Sequence, residues 1–190
     1  KKGGFDWIRG YHVGGRSLLW GRQVYRWSKQ DFEANAKEGV SIDWPIRYSD
    51  IEKWYDHVEN FIGVSGMSEK LPQLPDGQFL PAMEMNCVEK DFRKNLFKKF
   101  GRTYTIGRVA HTTKSHNGRG PCQSRNLCIR GCPYGAYFSS NSSTLPAAEA
   151  TGNMTLKPNS IVHSIIYDDD KEKATGVRVI DSQTFEMTEY

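Results

Sequence analysis

The spacing of apolar residues predicts two amphipathic helices in the first half of the chain. In residues 49–62 these residues recur every three or four positions, with Ser49 as a candidate N-cap and Gly63 as the stop signal. We expect this apolar stripe to contact the core, and it consists of Ile51, Trp54, Tyr55, Val58, Phe61 and Ile62. A second helix is predicted over residues 88–100, where Gly101 marks the end.

The second half of the chain has the shorter, alternating pattern that is typical of strands. The predicted strands cover residues 103–110, 154–157, 161–167, 174–180 and 185–190. A short helix is predicted after Ser143, with Gly152 as its stop. Because helices come first and strands last, the order favours the α+β fold class.

Composition narrows the choice of protein class. The chain has 190 residues, enough for one domain with a core, and a formal net charge of only +4, so we expect no nucleic-acid partner. The apolar runs are too short for a transmembrane segment. The chain starts at Lys1 without a methionine and stops at Tyr190 in a strand-like pattern. We therefore expect an internal piece of a longer protein.

Three of the four cysteines lie in one glycine-rich stretch, at Cys122, Cys128 and Cys132. Three thiols this close in sequence can converge on one metal ion or cluster, and four cysteines are too few for a disulfide scaffold. The remaining cysteine, Cys87, is distant, and we expect it to be buried or half-buried without a role.

The C-x5-C-x3-C-P spacing favours iron–sulfur ligation over zinc. Zinc sites are usually built from tight pairs and need a fourth ligand, for which His111 or His116 is the candidate here. A proline often follows a cysteine that binds a cluster, and three ligands suit a three-iron cluster. Arg125 and Arg130 would compensate its negative charge. The alternative that stays open is a disulfide within the loop.

A second candidate site is the pair Gly14-Gly15, which precedes an apolar stretch. Paired glycines allow positive φ and a close approach of the backbone to a ligand, although the same pair also occurs in ordinary loops. The Gly-x-Gly-x-x-Gly turn of a dinucleotide-binding fold does not occur in this sequence.

Several segments resemble the glucose-methanol-choline (GMC) oxidoreductase family. They are the Gly-Gly segment 12–21, the segment 43–66 that starts with Asp-Trp-Pro, and the strand pair 159–167 and 174–180. The cysteine stretch 121–136 is similar to that of a branch of FAD-dependent sugar and polyol dehydrogenases acting on glucose, fructose, sorbitol or gluconate.

The resemblance implies FAD as cofactor and oxidation of a sugar or polyol hydroxyl by hydride transfer to the flavin. It implies flavin contacts at Gly14, Gly15, Ser17, Trp20, Gly21 and Val162. It also implies that Cys122, Cys128 and Cys132 hold a [3Fe–4S] cluster, with a cytochrome or other electron-acceptor subunit as partner and the periplasm as location.

Mapped onto the family, the chain is expected to be the middle of a two-domain flavoprotein without its N-terminal dinucleotide-binding βαβ unit. We assign 1–30 to the flavin-contacting segment, 31–120 to a helical and loop insertion on the substrate side, 121–140 to the cysteine loop and 141–190 to a β-rich return to the FAD domain. No catalytic residue is assigned, because the family's acid–base histidine lies further along, so we expect the chain alone to be inactive. The alternatives are an oxygen-using GMC oxidase without a cluster and a small cysteine-stabilised binding module.

Overall fold

The computed structural model of the protein describes residues 3–5 and 8–190. Over these ranges it combines helices and strands, which confirms the mixed α+β class. The helices are Lys29–Glu38 (α1), Tyr48–Ile62 (α2), Cys87–Phe100 (α3) and Thr144–Glu149 (α4). The strands are Ser65–Gly66 (β1), Leu80–Pro81 (β2), Ser160–Asp168 (β3), Lys173–Asp181 (β4) and Met187–Glu189 (β5). Lys1, Lys2, Asp6 and Trp7 of the predicted segment 1–30 lie outside the described residues.

The chain divides into two compact units, one ending at Ala147 and the other beginning at Ala148. The division falls inside the range 141–190 that we assigned to a single β-rich return. The functional assignment of the four sequence segments stays a prediction. In the described part of the chain, no helix is long and apolar enough to cross a membrane.

Helix α1 was not predicted, although its start signal is in the sequence. The Asp31 carboxylate accepts hydrogen bonds from the backbone N–H of Ser28 at 2.6 Å and from its hydroxyl at 2.8 Å. This closes the first turn as a capping box. Phe32 is buried, with its ring centroid 5.9 Å from those of Trp27 and Trp44. Helix α1 therefore packs against the rest of the unit through the buried ring of Phe32.

Helix α2 confirms the first predicted helix but begins earlier than expected. The Asp50 carboxylate accepts from the backbone N–H of Arg47 at 2.7 Å, which makes Arg47 the N-cap instead of Ser49. The core role expected for the whole apolar stripe was wrong for two residues. Trp54 is 58% exposed and Val58 is also exposed, since the helix buries the face that carries Glu59.

The core of the first unit consists of Ile62, Val64 and Ala110. Partly buried residues, most of them aromatic, pack around it: Trp20, Val24, Phe61, Phe79 and Phe138.

The predicted strand at 103–110 was wrong, because only Val109 pairs, in isolated bridges with Gln23 and Ser65. Neighbouring Arg108 buries its side chain, and its guanidinium donates to Asp76 at 2.9 Å. Because Val109 pairs only in isolated bridges, residues 103–110 form no β-ladder.

Helix α3 confirms the second predicted helix and its terminator Gly101. Its N-cap is Asn86, whose side chain accepts from the Glu89 N–H at 2.9 Å. Cys87 begins the helix and is exposed, so our expectation of a buried or half-buried thiol was wrong.

The second unit contains an antiparallel sheet in the order β3-β4-β5. Val162 on β3 lies opposite Val179 on β4, and Ile180 lies opposite Met187 on β5. These strands confirm the predictions at 161–167 and 174–180, and β5 is a shortened version of the predicted 185–190. The predicted strand at 154–157 was wrong, since these residues form no ladder.

Candidate functional site

Gly14 and Gly15 form a turn in which both residues have positive φ, at 97° and 48°. Here glycine is required, because other residues are strained in this region. A Cβ on Gly14 would also lie 2.5 Å from Oδ1 of Asn141. A 3₁₀ turn over Gly15–Leu18 follows directly. The structure therefore confirms the unusual backbone expected for the glycine pair.

This glycine turn is hydrogen-bonded to the segment that follows the cysteine loop. The Ser17 hydroxyl donates to the carbonyl of Gly14 at 2.6 Å and accepts from the backbone N–H of Ser140 at 3.0 Å. The Asn141 side-chain amide donates to the carbonyl of Val13 at 3.0 Å. Two regions that the sequence analysis treated separately are thus parts of one local structure.

The other residues predicted to contact flavin have different surroundings. The Trp20 ring packs edge-on against Phe138 at 6.0 Å and contributes to the core. A Cβ at Gly21 would meet no atom within 4 Å, so the backbone there is open to a ligand. Val162 is exposed on β3 of the second unit. Gly14, Gly15, Ser17, Trp20 and Gly21 therefore share one continuous segment, and Val162 belongs to another unit.

All three cysteines of the loop are free and half-buried. Cys122, Cys128 and Cys132 line the same small cavity of about 30 Å³. Within residues 3–5 and 8–190, no group of three or more His, Cys, Asp or Glu side chains is placed to hold a metal ion. The structure brings the three thiols to one cavity, and their role as ligands stays a prediction.

The backbone fixes both ends of the cysteine loop. The N–H of Cys122 donates to the carbonyl of Thr112 at 2.8 Å, and the N–H of Thr112 donates to the carbonyl of Ala136 at 3.0 Å. Within the loop, Gly135 N–H donates to the carbonyl of Cys132 at 3.1 Å. Thr112, itself buried, therefore anchors the entry and the exit of the loop.

Arg22 lies buried between the glycine turn and the cysteine loop, with only 3% of its surface exposed. Its guanidinium donates to the carbonyls of Phe138 at 2.8 Å and Ser17 at 3.0 Å. It also lies 3.6 Å from the centre of the Tyr137 ring. Burial lowers the pKa of Arg22, while Tyr137 and Cys128 act in the opposite direction. In the described part of the chain, no carboxylate forms an ion pair with it.

Arg119 is the second buried arginine at the loop, with 4% exposure. It donates to the carbonyls of Gly135 at 2.8 Å and Ala136 at 3.1 Å, and to that of Ile62. Burial lowers its pKa, and Cys132 acts in the opposite direction. Among the residues that the structure describes, no carboxylate pairs with it either.

Sequence reasoning missed both of these arginines. It named Arg125 and Arg130, which lie between the cysteines and are both exposed. Arg22 and Arg119 reach the loop from other parts of the chain, and no local pattern marks them.

Of the two candidate zinc ligands, His111 lies in an unusual environment. Both of its ring nitrogens are buried, and neither has a hydrogen-bond partner among the described residues. Its ring meets the Tyr137 ring edge-on at 4.6 Å. Burial, followed by the charges of Arg22 and Arg119, lowers the pKa of His111, so the ring is neutral near pH 7. The other candidate, His116, is bonded through Nε2 to the carbonyl of Asn60 at 2.5 Å.

Comparison with known proteins gives a match over nearly the whole chain. A family model described as GMC oxidoreductase matches residues 3–189. The fructose dehydrogenase large subunit of Gluconobacter japonicus is 27% identical over 173 residues, which are 89% of this chain and 31% of that protein.

Two further relatives have different reaction names. The 2-methyl-1,2-propanediol dehydrogenase of Mycolicibacterium austroafricanum is 26% identical, over 91% of this chain and 31% of its own length. The paromamine 6'-oxidase of Streptomyces fradiae is 24% identical, over 91% of this chain and 31% of its own length. The chain therefore spans about a third of the length of these curated relatives.

Proposed function

Because the chain belongs to the GMC oxidoreductase family, we propose that it forms part of an FAD-dependent dehydrogenase that oxidises a sugar or polyol hydroxyl. The names of the fructose and propanediol dehydrogenases among its relatives support this substrate class. FAD, when bound, accepts the hydride from the carbon that bears the hydroxyl group. We assign no residue of this chain as the base that takes the hydroxyl proton.

We assign the flavin contacts to Gly14, Gly15, Ser17, Trp20, Gly21 and Val162. The geometry of the turn supports this assignment. Gly14 and Gly15 both have positive φ, and a Cβ at Gly15 or Gly21 would meet no atom closer than 3.9 Å, so the backbone at these two positions is open. The hydroxyl proton of Ser17 is already used within the turn, so Ser17 holds the backbone in shape.

We further propose that electrons from the flavin would pass through an iron–sulfur cluster at the cysteine loop, which we call the relay. One observation supports it, the pair of hydrogen bonds between the glycine turn and the exit of the cysteine loop. Ser17 accepts from Ser140, and Asn141 donates to Val13. A flavin at the turn and a centre at the loop would therefore be close neighbours in one unit. Cys122, Cys128 and Cys132 would hold a [3Fe–4S] cluster, which exchanges single electrons when bound.

The donor set fits such a group in its chemistry. The three sulfurs are free, half-buried and share a cavity, and thiolates are the usual ligands of iron–sulfur clusters. The external acceptor would be a cytochrome or another electron-acceptor subunit, and the location would be the periplasm. The name of the fructose dehydrogenase relative, a large subunit, is consistent with a multi-subunit enzyme.

The second candidate function is a GMC oxidase that uses oxygen and binds no cluster. The paromamine 6'-oxidase among the relatives favours it, because its printed name is that of an oxidase. The third alternative, a small cysteine-stabilised binding module, has no support from the family match.

Two measurements on the complete protein that contains these residues, purified without oxygen, test the proposal. The dehydrogenase with a relay requires bound FAD, together with iron and acid-labile sulfide in a ratio of three to four. Bound FAD without iron would favour the oxidase that has no cluster. Absence of FAD would contradict both the dehydrogenase and the oxidase hypotheses.

A substitution tests the position of the flavin segment. Gly15→Trp should abolish FAD binding, because a large ring would occupy the open side of the turn. Gly39→Trp is the matched control, since Gly39 also has positive φ and open space but lies at the end of α1. Retained FAD in Gly15→Trp would contradict our placement of the flavin.

A further inference from the structure

Four arginines of the described chain are buried, and they fall into two classes. Arg26 pairs with Glu59 at 2.9 Å, and Arg108 pairs with Asp76 at 2.9 Å. Arg22 and Arg119 donate to backbone carbonyls and form no ion pair with a carboxylate in the part of the chain that the structure describes. The two buried arginines without a carboxylate are also the two that adjoin the cysteine loop.

Burying a cation without a counter-charge is unfavourable, and carbonyl oxygens compensate only part of the lost hydration. Carboxylates compensate the buried positive charges of Arg26 and Arg108. In the described part of the chain, no carboxylate does so for Arg22 and Arg119. Both side chains are fixed by three or more hydrogen bonds, so neither can move to solvent without breaking them. No carboxylate of the described residues supplies a compensating negative charge close to either side chain.

We propose that Arg22 and Arg119 are the counter-ions of an anionic metal–sulfur centre held by the cysteine loop. The inference rests on the proposed iron–sulfur relay and assigns residues to it. Arg22 lies against Tyr137 and binds the carbonyl of Phe138, and Arg119 binds the carbonyl of Gly135 inside the loop. Arg22 thus contacts the loop near its end, and Arg119 contacts it within its last third.

The charge of the centre decides between the alternatives for the cysteines. A disulfide or a set of neutral thiols carries no charge and leaves both guanidinium groups uncompensated. A [3Fe–4S] cluster with three thiolates is negative, about −2 in its oxidised form by formal charges, which balances two arginines. The exposed Arg125 and Arg130 contribute less, because solvent screens their charges.

The consequence is a change in reduction potential. Reduction adds an electron to a group that is already negative, and buried positive charges stabilise the product more than the reactant. Arg22 and Arg119 therefore raise the potential. Replacing either by a neutral side chain should reduce the equilibrium constant for reduction about tenfold, which is about 59 mV for a one-electron couple.

The test uses four variants of the complete protein: Arg22→Gln, Arg119→Gln, and Arg22→Lys and Arg119→Lys, which keep the charge and lose the planar fork. Arg102→Gln is the control for an exposed arginine outside the cysteine loop. Iron and sulfide content, FAD content and an EPR-monitored redox titration are measured for each variant.

We expect both Gln variants to shift the potential to more negative values or to lose iron. Both Lys variants should keep a potential and an iron content near those of the wild type, and so should Arg102→Gln. If one Gln variant does not fold, the other arginine provides the same comparison. Loss of iron from the Lys and Gln variants alike would overturn the inference. Retention of iron would then depend on the hydrogen bonds of the planar guanidinium group and not on its charge.

Failure of the inference can be separated from failure of the proposed function. Wild-type potentials in both Gln variants would overturn the counter-ion role and leave the relay intact. A wild-type protein with FAD but without iron would overturn the counter-ion role and the relay together, and would leave the oxidoreductase assignment in place.

Discussion

The side chains of Arg26 and Glu59 form a buried ion pair with two parallel hydrogen bonds, Nε to Oε1 at 2.9 Å and Nη2 to Oε2 at 2.5 Å. Their exposed fractions are 1% and 2%. Glu59 also accepts from the backbone N–H of Gln78 at 3.1 Å. Although burial lowers the pKa of Arg26, the hydrogen bonds that it donates to Glu59, Asp56 and Tyr48 raise it on balance. The pair joins α2 to the segment that precedes α1.

Replacing Glu59 by Gln should destabilise the protein by about 3 kcal/mol, because it leaves a buried guanidinium facing a neutral amide. Asp56 remains within 2.5 Å of Arg26 but is partly exposed, so it compensates only in part. Urea unfolding measures the free energy. The matched control is Glu33→Gln, whose partner Lys37 is exposed, and its urea midpoint should stay close to that of the wild type. Equal urea midpoints for the two variants would refute this account of the pair.

Gly14→Ala should be more costly than an ordinary replacement of a glycine with positive φ. The backbone strain alone is about 1 kcal/mol, and the new methyl group would also overlap the Asn141 amide that donates to Val13. We expect a total loss of about 2 kcal/mol and weaker FAD binding. Gly101→Ala measures the strain alone, since a Cβ there meets nothing within 4 Å. A Gly14 variant as stable as the Gly101 variant would show that the contact with Asn141 is unimportant.

The features that could be predicted from the sequence are those with local causes. Helices α2 and α3 follow from apolar spacing and from Gly63 and Gly101, which end them in the left-handed conformation. The glycine turn follows from the Gly14-Gly15 pair itself. Alternation alone misled us at 103–110, where Val109 pairs only in isolated bridges and the buried guanidinium of Arg108 donates to Asp76.

The environment of the cysteine loop could not be predicted in this way. Arg22 and its acceptor Phe138 are 116 positions apart, and Ser17 and Ser140 are 123 apart. Contacts at such separations depend on the tertiary fold and leave no periodic trace in the sequence. The three cysteines could therefore be recognised as a candidate site, and the buried charges around them could not.

The protein should lose stability as the pH falls below about 6.5 because of His111. Burial, and then Arg22 and Arg119, hold the pKa of His111 below its ordinary value in the folded state. In the unfolded state a histidine has a pKa of about 6.5 and binds a proton as the pH falls through that value. The unfolded state then binds more protons than the folded state, so the free energy of unfolding decreases. At pH 8 both states have a neutral His111, and the effect is absent.

Urea midpoints at pH 8 and pH 5.5 measure this effect. The difference between the two midpoints should be smaller in His111→Phe, which keeps an aromatic ring against Tyr137. An unchanged pH dependence in this variant would assign the effect to other groups.

The four cysteines should separate into one exposed thiol and three that act together. Cys87 is exposed at the first residue of α3, whereas Cys122, Cys128 and Cys132 are half-buried around one cavity. We expect Cys87→Ser to retain the iron and sulfide of the wild type, and Cys128→Ser to lose most of both, because the proposed cluster has only three protein ligands. A thiol reagent applied to the native protein should modify Cys87 first. Equal iron content in the two serine variants, with iron present in the wild type, would place the metal elsewhere in the protein.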